Sequence, residues 1–240
     1  MKPSLLQIVL GAFFALLLAG IVLPWAQPPV DAGRFEFDIR QPFEGVFRAR
    51  PIPALWVLRG QDPGRFSNYS VYPLVGPGRQ GLSPAAARFD GLGVSLSGKL
   101  LYNGTFTAIE ADESSIQRLT RVVEFPEPVP PEELGDATLR GEVLDLKTYA
   151  GYLEPNHGSW LIAPASNAIL SAVPPLLVIR NRQGDERVAI LLNQRSDSLG
   201  WEALGQVGIA VEVRGKLRSM GGLLFLEVQP GSFHRLLPWE

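Results

Sequence analysis

The segment VSLSGKLLYNGTFTAIEADESSIQRL, Val94–Leu119, returns later in the chain as VEVRGKLRSMGGLLFLEVQPGSFHRL, Val211–Leu236. Nine of the twenty-six positions are identical without a gap, where unrelated segments share roughly two at ordinary residue frequencies. Most other positions keep their class: Leu96 with Val213, Phe106 with Leu223, Ile109 with Leu226, Ile116 with Phe233. A repeat of this length implies two copies of one small domain. Within the first copy, Val94, Leu96, Gly98 and Leu100 alternate with Ser95, Ser97 and Lys99, the period-two pattern of a half-buried strand. Asn103-Gly104 then signals a tight hairpin, and Met220-Gly221-Gly222 stands at the same place in the second copy.

Working outward, the first copy has further strand candidates at Phe43–Arg50, Ala54–Arg59, Tyr69–Val75 and Thr105–Glu110. Ser83-Pro84 followed by alanines predicts one short helix before the fourth strand. The second copy offers Thr138–Lys147, Leu176–Asn181, Arg187–Asn193, Val207–Leu217 and Leu223–Val228, with Gly141 answering to Gly45. Five short strands with one helix before the fourth, built twice, predict an all-β protein of tandem small OB-like Greek-key β-barrels. A pair of small β-sandwiches or one fused sheet is the competing arrangement.

The expected organisation is residues 1–26 as a transmembrane anchor, 27–40 as a spacer and 41–120 as the first barrel repeat. A Pro-rich linker follows at 121–137, then the second repeat at 138–240 with an insertion at 148–173. The anchor rests on Leu5–Trp25, twenty-one residues with no charge. As a helix they would reach about 31 Å, the thickness of a hydrocarbon core. A cleaved signal peptide and a buried core helix are the alternatives; the small-x-small cleavage sites on offer are poor. Lys2 and the amino terminus carry the positive charge before the span. The positive-inside rule therefore places the amino terminus in the cytoplasm and the bulk of the chain in the periplasm, on the far side of the inner membrane.

Composition narrows the chemistry. There is no cysteine, which removes disulfides, thiolate catalysis and zinc–thiolate sites. With only His157 and His234, an imidazole metal site is not expected. The net charge is −2 and no block of Lys and Arg occurs, so a nucleic-acid partner is not expected. No Ser-His-Asp order, phosphate-cradling Gly loop or supported acid pair can be made out, so neither catalysis nor a cofactor is expected. Asp145 and Lys147, two apart, would share a strand face and could pair; a surface ion pair or a fold-stabilising contact is the favoured reading. Asn103-Gly104-Thr105 fits the glycosylation pattern formally but sits in a tight hairpin.

GEVLDLKTYAGYLEPNHGSWLIAPASNAILSAVPP, Gly141–Pro175, resembles a family of bacterial membrane-anchored or exported proteins. Their motif runs Gly-Glu-(Ile/Val)-x-Asp-x-Lys-Cys-Tyr-x-Gly, then a His, a Cys-Ala-x-x-Cys-Ile stretch and a Pro-Pro end. Gly141, Glu142, Asp145, Lys147, Tyr149, Gly151, Pro155, Gly158, Ala165, Ile169, Pro174 and Pro175 match. At the family's Cys and His positions this chain carries Thr148, Leu161, Pro164 and Ala168, none able to ligate. The resemblance implies company with respiratory redox proteins and a metal or redox site that this chain has lost.

The expected function is therefore a non-catalytic, single-pass accessory subunit of a membrane redox complex, respiratory or photosynthetic. Its partners would be the membrane and other subunits of that complex. The alternative is a membrane-anchored extracytoplasmic binding module or chaperone presenting a cofactor, lipid or glycan. Docking is expected through the insertion, at Tyr149, Tyr152, Trp160, Leu161 and Ile162, since a long loop this apolar must be buried against something.

Overall fold

Strand alternation and turn chemistry build the same circuit twice. The first copy consists of β1 (Arg34–Phe35), β2 (Gln41–Arg48), β3 (Ala54–Leu58), β4 (Tyr69–Val75), β5 (Gly93–Asn103), β6 (Phe106–Ala111) and β7 (Gln117–Arg118). The second consists of β8 (Glu132–Asp145), β9 (Pro175–Arg180), β10 (Glu186–Leu192), β11 (Ala210–Met220), β12 (Leu223–Val228) and β13 (His234–Arg235). The computed structural model describes residues 34–35, 39–58, 69–104, 106–120, 130–152, 159–181 and 185–236. The expected anchor at Leu5–Trp25 lies outside them, as do His157 and most of the Pro-rich linker. Among the described residues no helix is long and apolar enough to cross a membrane.

Each copy closes into a five-stranded barrel. In barrel 1, β2 pairs β3, β3 pairs β4, β4 runs parallel to β6, β6 pairs β5 and β5 returns to β2. In barrel 2, β8, β9, β10, β12 and β11 follow the same order, with β10 and β12 the parallel pair. A short 3-10 helix precedes the fourth strand in both, Pro84–Phe89 and Gly200–Gln206. This is the five-stranded Greek-key circuit of OB-like barrels. Ser83 does not cap the first of these helices with its side chain; its hydroxyl donates to Glu113 instead.

The repeat extends to individual hydrogen bonds. Ser115 Oγ accepts from Ser97 N, and Ser232 Oγ accepts from Arg214 N, at equivalent positions. Leu119 N donates to Gly93 O as Leu236 N donates to Ala210 O. Gly45 and Gly141 are equivalent for a steric reason: a Cβ on either would lie 2.4 Å from a carbonyl oxygen across the ladder, Trp56 O or Val178 O. Gly98 and Gly215 are equivalent likewise, with Glu110 O at 2.8 Å and Glu227 O at 2.3 Å.

Inside the barrels, alternate residues make two cores. Phe47, Leu55, Leu74, Val94, Leu96 and Ile109 fill the first, and Val143, Leu177, Leu191, Val211, Val213 and Leu226 the second. The outward-facing residues of the same strands are apolar as well, because the barrels pack face to face. On barrel 1, Val46, Ala54, Trp56, Tyr69 and Val71 receive Met220 and Leu223, the ends of the β11–β12 hairpin. On barrel 2, Leu176, Val178, Ile190 and Leu192 pack with Leu101, Phe106 and Ala108 from the β5–β6 hairpin. Each barrel thus lays its own hairpin on the second and third strands of the other.

Two expected boundaries move. The strand expected from Thr138 begins at Glu132, inside the stretch read as linker, because Glu132–Gly135 pairs with the far end of β11 across a bulge at Leu217/Arg218. The insertion is not an irregular loop: after a π-helical turn at Thr148–Tyr152 it forms a 3-10 turn at Ser159–Leu161 and the helix α1, Ile162–Leu170.

Candidate functional site

The end of β8 and the turn after it bring Lys147 and Tyr149 to the joint between the barrels. β8 ends at Asp145, whose Oδ1 accepts from the backbone N–H of Lys147 at 3.0 Å and of Thr148 at 3.1 Å. In that Asx turn Asp145 holds the backbone of Lys147, and its carboxyl also favours the charged Lys147 ammonium electrostatically. Asp145 is fully buried and its Oδ2 has no hydrogen-bond partner among the described residues. Burial holds its carboxyl above the ordinary carboxylate value, against the lowering effect of the bonds from Thr148 and Lys147.

Lys147 crosses into barrel 1. Its Nζ donates to Glu110 Oε2 at 2.5 Å, to Gly76 O at 2.7 Å and to Gly78 O. All three ammonium donors are therefore engaged. The side chain is 1 % exposed, and burial depresses its pKa while Glu110 raises it. Glu110 is among the positions the two repeats share; its counterpart Glu227 accepts from Arg218 of its own barrel. One barrel neutralises this glutamate internally, and the other borrows a cation from its neighbour.

The insertion continues the joint. Tyr149 meets Phe106 edge-on, with ring centroids 5.7 Å apart, and its carbonyl accepts from Asn103 Nδ2 at 2.9 Å. Asn103 is buried with that amide engaged, so its glycosylation pattern is structural. At the far end of α1, Ser171 O accepts from Gly81 N at 2.7 Å, and a Cβ on Gly81 would strike Ala172 O.

The expected docking residues divide accordingly. Tyr149 and Leu161 are buried at 3 % and 0 % exposure in the joint and do not reach solvent. They form part of the cluster that links the insertion to both barrels. Trp160 and Ile162 are exposed at 47 % and 39 %, as is Leu170 at the other end of α1. Tyr152 closes the π-helical turn, with its side chain outside the description. Spacing explains the division: Leu161, Ala165, Ala168 and Ile169 form the inner face of α1, leaving Ile162 and Leu170 outward. Trp201, in the 3-10 helix that packs on α1, is also exposed.

At the positions where the resembling family carries Cys and His, Thr148, Leu161 and Ala168 are buried. Leu161, Pro164 and Ala168 recur at helical spacing on one side of α1 and offer no donor atom from their side chains. A metal or redox centre of that kind does not fit these residues.

A further feature of the site was not read from the sequence. A cleft of about 250 Å³ opens where the turn after β2 meets barrel 2, with Arg50 and Pro51 on one wall and Leu192, Arg195, Met220 and Phe225 on the other.

No protein-family model and no curated protein matches the chain. Among solved structures, a deletion mutant of the single-stranded DNA binding protein from Thermus aquaticus aligns over 88 % of this chain and 100 % of its own, at 13 % identity and a TM-score of 0.22. At that score the likeness carries no argument for this chain's fold or ligand. The expectation that nucleic acid is absent from the partners rested on charge composition and is withdrawn.

Proposed function

We propose that the protein is a non-catalytic, single-pass accessory subunit of a membrane redox complex, respiratory or photosynthetic. Its barrels would lie in the periplasm and hold an interaction surface in a fixed position. The observation that carries this reading is the division of labour in the motif region. Lys147 and Tyr149 tie the barrels together and Asp145 holds the turn that carries them, while the positions that would ligate in the resembling family carry Thr148, Leu161, Pro164 and Ala168. OB-like barrels usually take up extended ligands on the second and third strands; here that face of each barrel packs against the other. What remains for a partner is the outer side of the insertion, Trp160, Ile162 and Leu170.

The test is a gentle membrane extraction of the tagged full chain, followed by mass identification of co-purifying subunits. A variant with Trp160→Ser, Ile162→Ser and Leu170→Ser should lose those subunits at least tenfold, as expected when exposed aromatic anchors are removed, with an unchanged melting temperature. Recovery of the same subunits with the variant, or of no redox-complex subunit with the native chain, overturns the proposal. The alternative, an anchored binding module, is favoured by one observation, the cleft at Arg50 and Arg195.

A further inference from the structure

The cleft between the barrels has an apolar floor and a cationic rim. Leu192 and Phe225 on the floor are buried at 1 % and 3 % exposure, and Met220 is half-buried beside them. Three arginines line it, in different electrostatic states. Arg218 is neutralised from within, donating to Glu227 and to Ser196 Oγ at 3.0 Å. Arg50 stands 3.5 Å from Asp197 with its side chain 75 % exposed, a pair that contributes at most about 1 kcal/mol. Arg195 is exposed, and its guanidinium makes no ion pair or hydrogen bond among the described residues; only its backbone N–H is engaged, with Asn193 Oδ1 at 2.9 Å. A cavity with an apolar body and one uncommitted planar cation at its mouth has the form of an amphiphilic anion site.

We propose that this cleft binds a small organic carboxylate, with its apolar part on Leu192, Met220 and Phe225 and its carboxylate held by Arg195 and Arg50. The volume of about 250 Å³ lies below the roughly 300–1,000 Å³ of drug-sized sites. That selects a short aliphatic or single-ring acid over a long-chain fatty acid. Arg50 and Pro51 belong to barrel 1 and the floor to barrel 2. A bound acid therefore bridges the joint and stabilises the paired state by mass action. The inference is independent of the docking surface on the insertion, which lies on other residues.

The experiment is thermal unfolding of the full chain in detergent, titrated with hexanoate and benzoate and, as matched neutral probes, hexanamide and benzamide. Sodium acetate controls for charge without an apolar body. The expected result is a saturable rise in melting temperature with at least one of the two acids, and none with the amides or acetate. Arg195→Gln and Arg50→Gln should each weaken the response about tenfold, the worth of one charge-assisted hydrogen bond, with the response of each variant measured from its own unliganded melting temperature. A flat response to both acids overturns the site. Equal responses to acid and amide, or full retention of the response in Arg195→Gln, overturn the assignment of an anion.

Discussion

Lys147 and Asp145 are two residues apart, and the chain uses them for different things. Lys147 is a buried cation with three acceptors supplied by barrel 1. Removing its charge leaves Glu110 buried without its partner, which typically costs about 3–5 kcal/mol. Lys147→Met should therefore be strongly destabilising in chemical denaturation, and adding Glu110→Gln should recover part of the loss; a double variant no better than the single would sink the ion-pair account. Asp145 is held above its ordinary pKa by burial. The folded state therefore favours the protonated acid. Its contribution is fully present below the unfolded-state pKa and is lost as pH rises through the raised folded-state value. Asp145→Asn should flatten this part of the stability–pH profile, and parallel profiles for the two proteins would contradict it. A two-residue spacing suggested a shared strand face for this pair. The sequence does not announce that β8 stops at Asp145, or that the partner of Lys147 lies 37 residues upstream in the other copy. The legible trace was Glu110 itself, an acid identical in both repeats within a mostly apolar strand.

At the scale of elements, the two hairpins share a sequence position and differ in surroundings. Gly104 has φ +55° with nothing within 4 Å of an added Cβ, whereas Gly221 has φ +58° with Val71 Cγ2 at 2.1 Å. Both positions impose the left-handed penalty of about 1–2 kcal/mol on any other residue. Only Gly221→Ala also drives a methyl into the barrel–barrel contact, adding about 1–3 kcal/mol of overpacking. Urea denaturation should thus rank Gly221→Ala clearly below Gly104→Ala, and equal losses would mean the hairpin tip yields without cost. The fourth and fifth strands were legible because one face alternates and Asn-Gly marks the turn. The early start of β8 was not, since Glu132–Gly135 is exposed and shows no apolar alternation. A readable signal passed unused in β9 and β10: Leu176-Leu177-Val178-Ile179 and Val188-Ala189-Ile190-Leu191-Leu192 are continuous apolar runs. Strands of that kind are buried on both faces, so something had to cover the outside of barrel 2.

For the whole molecule, the duplication is written in the sequence and the pairing of its halves is not. Each copy names its own core by alternation, but a residue such as Trp56 or Ile190 is apolar outside its barrel for a reason that lies in the other copy. Once paired, the barrels share buried clusters and fall within one compact unit. Folding either alone would leave a wide apolar face in water, at about 25 cal/mol for each Å² exposed. The halves should therefore unfold together. Two variants, each retaining one reporter tryptophan within the barrels, Trp56 in barrel 1 or Trp201 in barrel 2, allow each half to be followed by fluorescence through a urea titration. Coincident midpoints and slopes are expected, as two-state unfolding of the pair requires. Placed on the Lys147→Met background, the same reporters should move together to a lower midpoint, because the apolar joint that couples the barrels remains. Separate transitions in the otherwise native protein would mean that the joint is a weak contact between independently stable barrels. The insertion could not then be held rigid enough to present Trp160 and Ile162 to a partner.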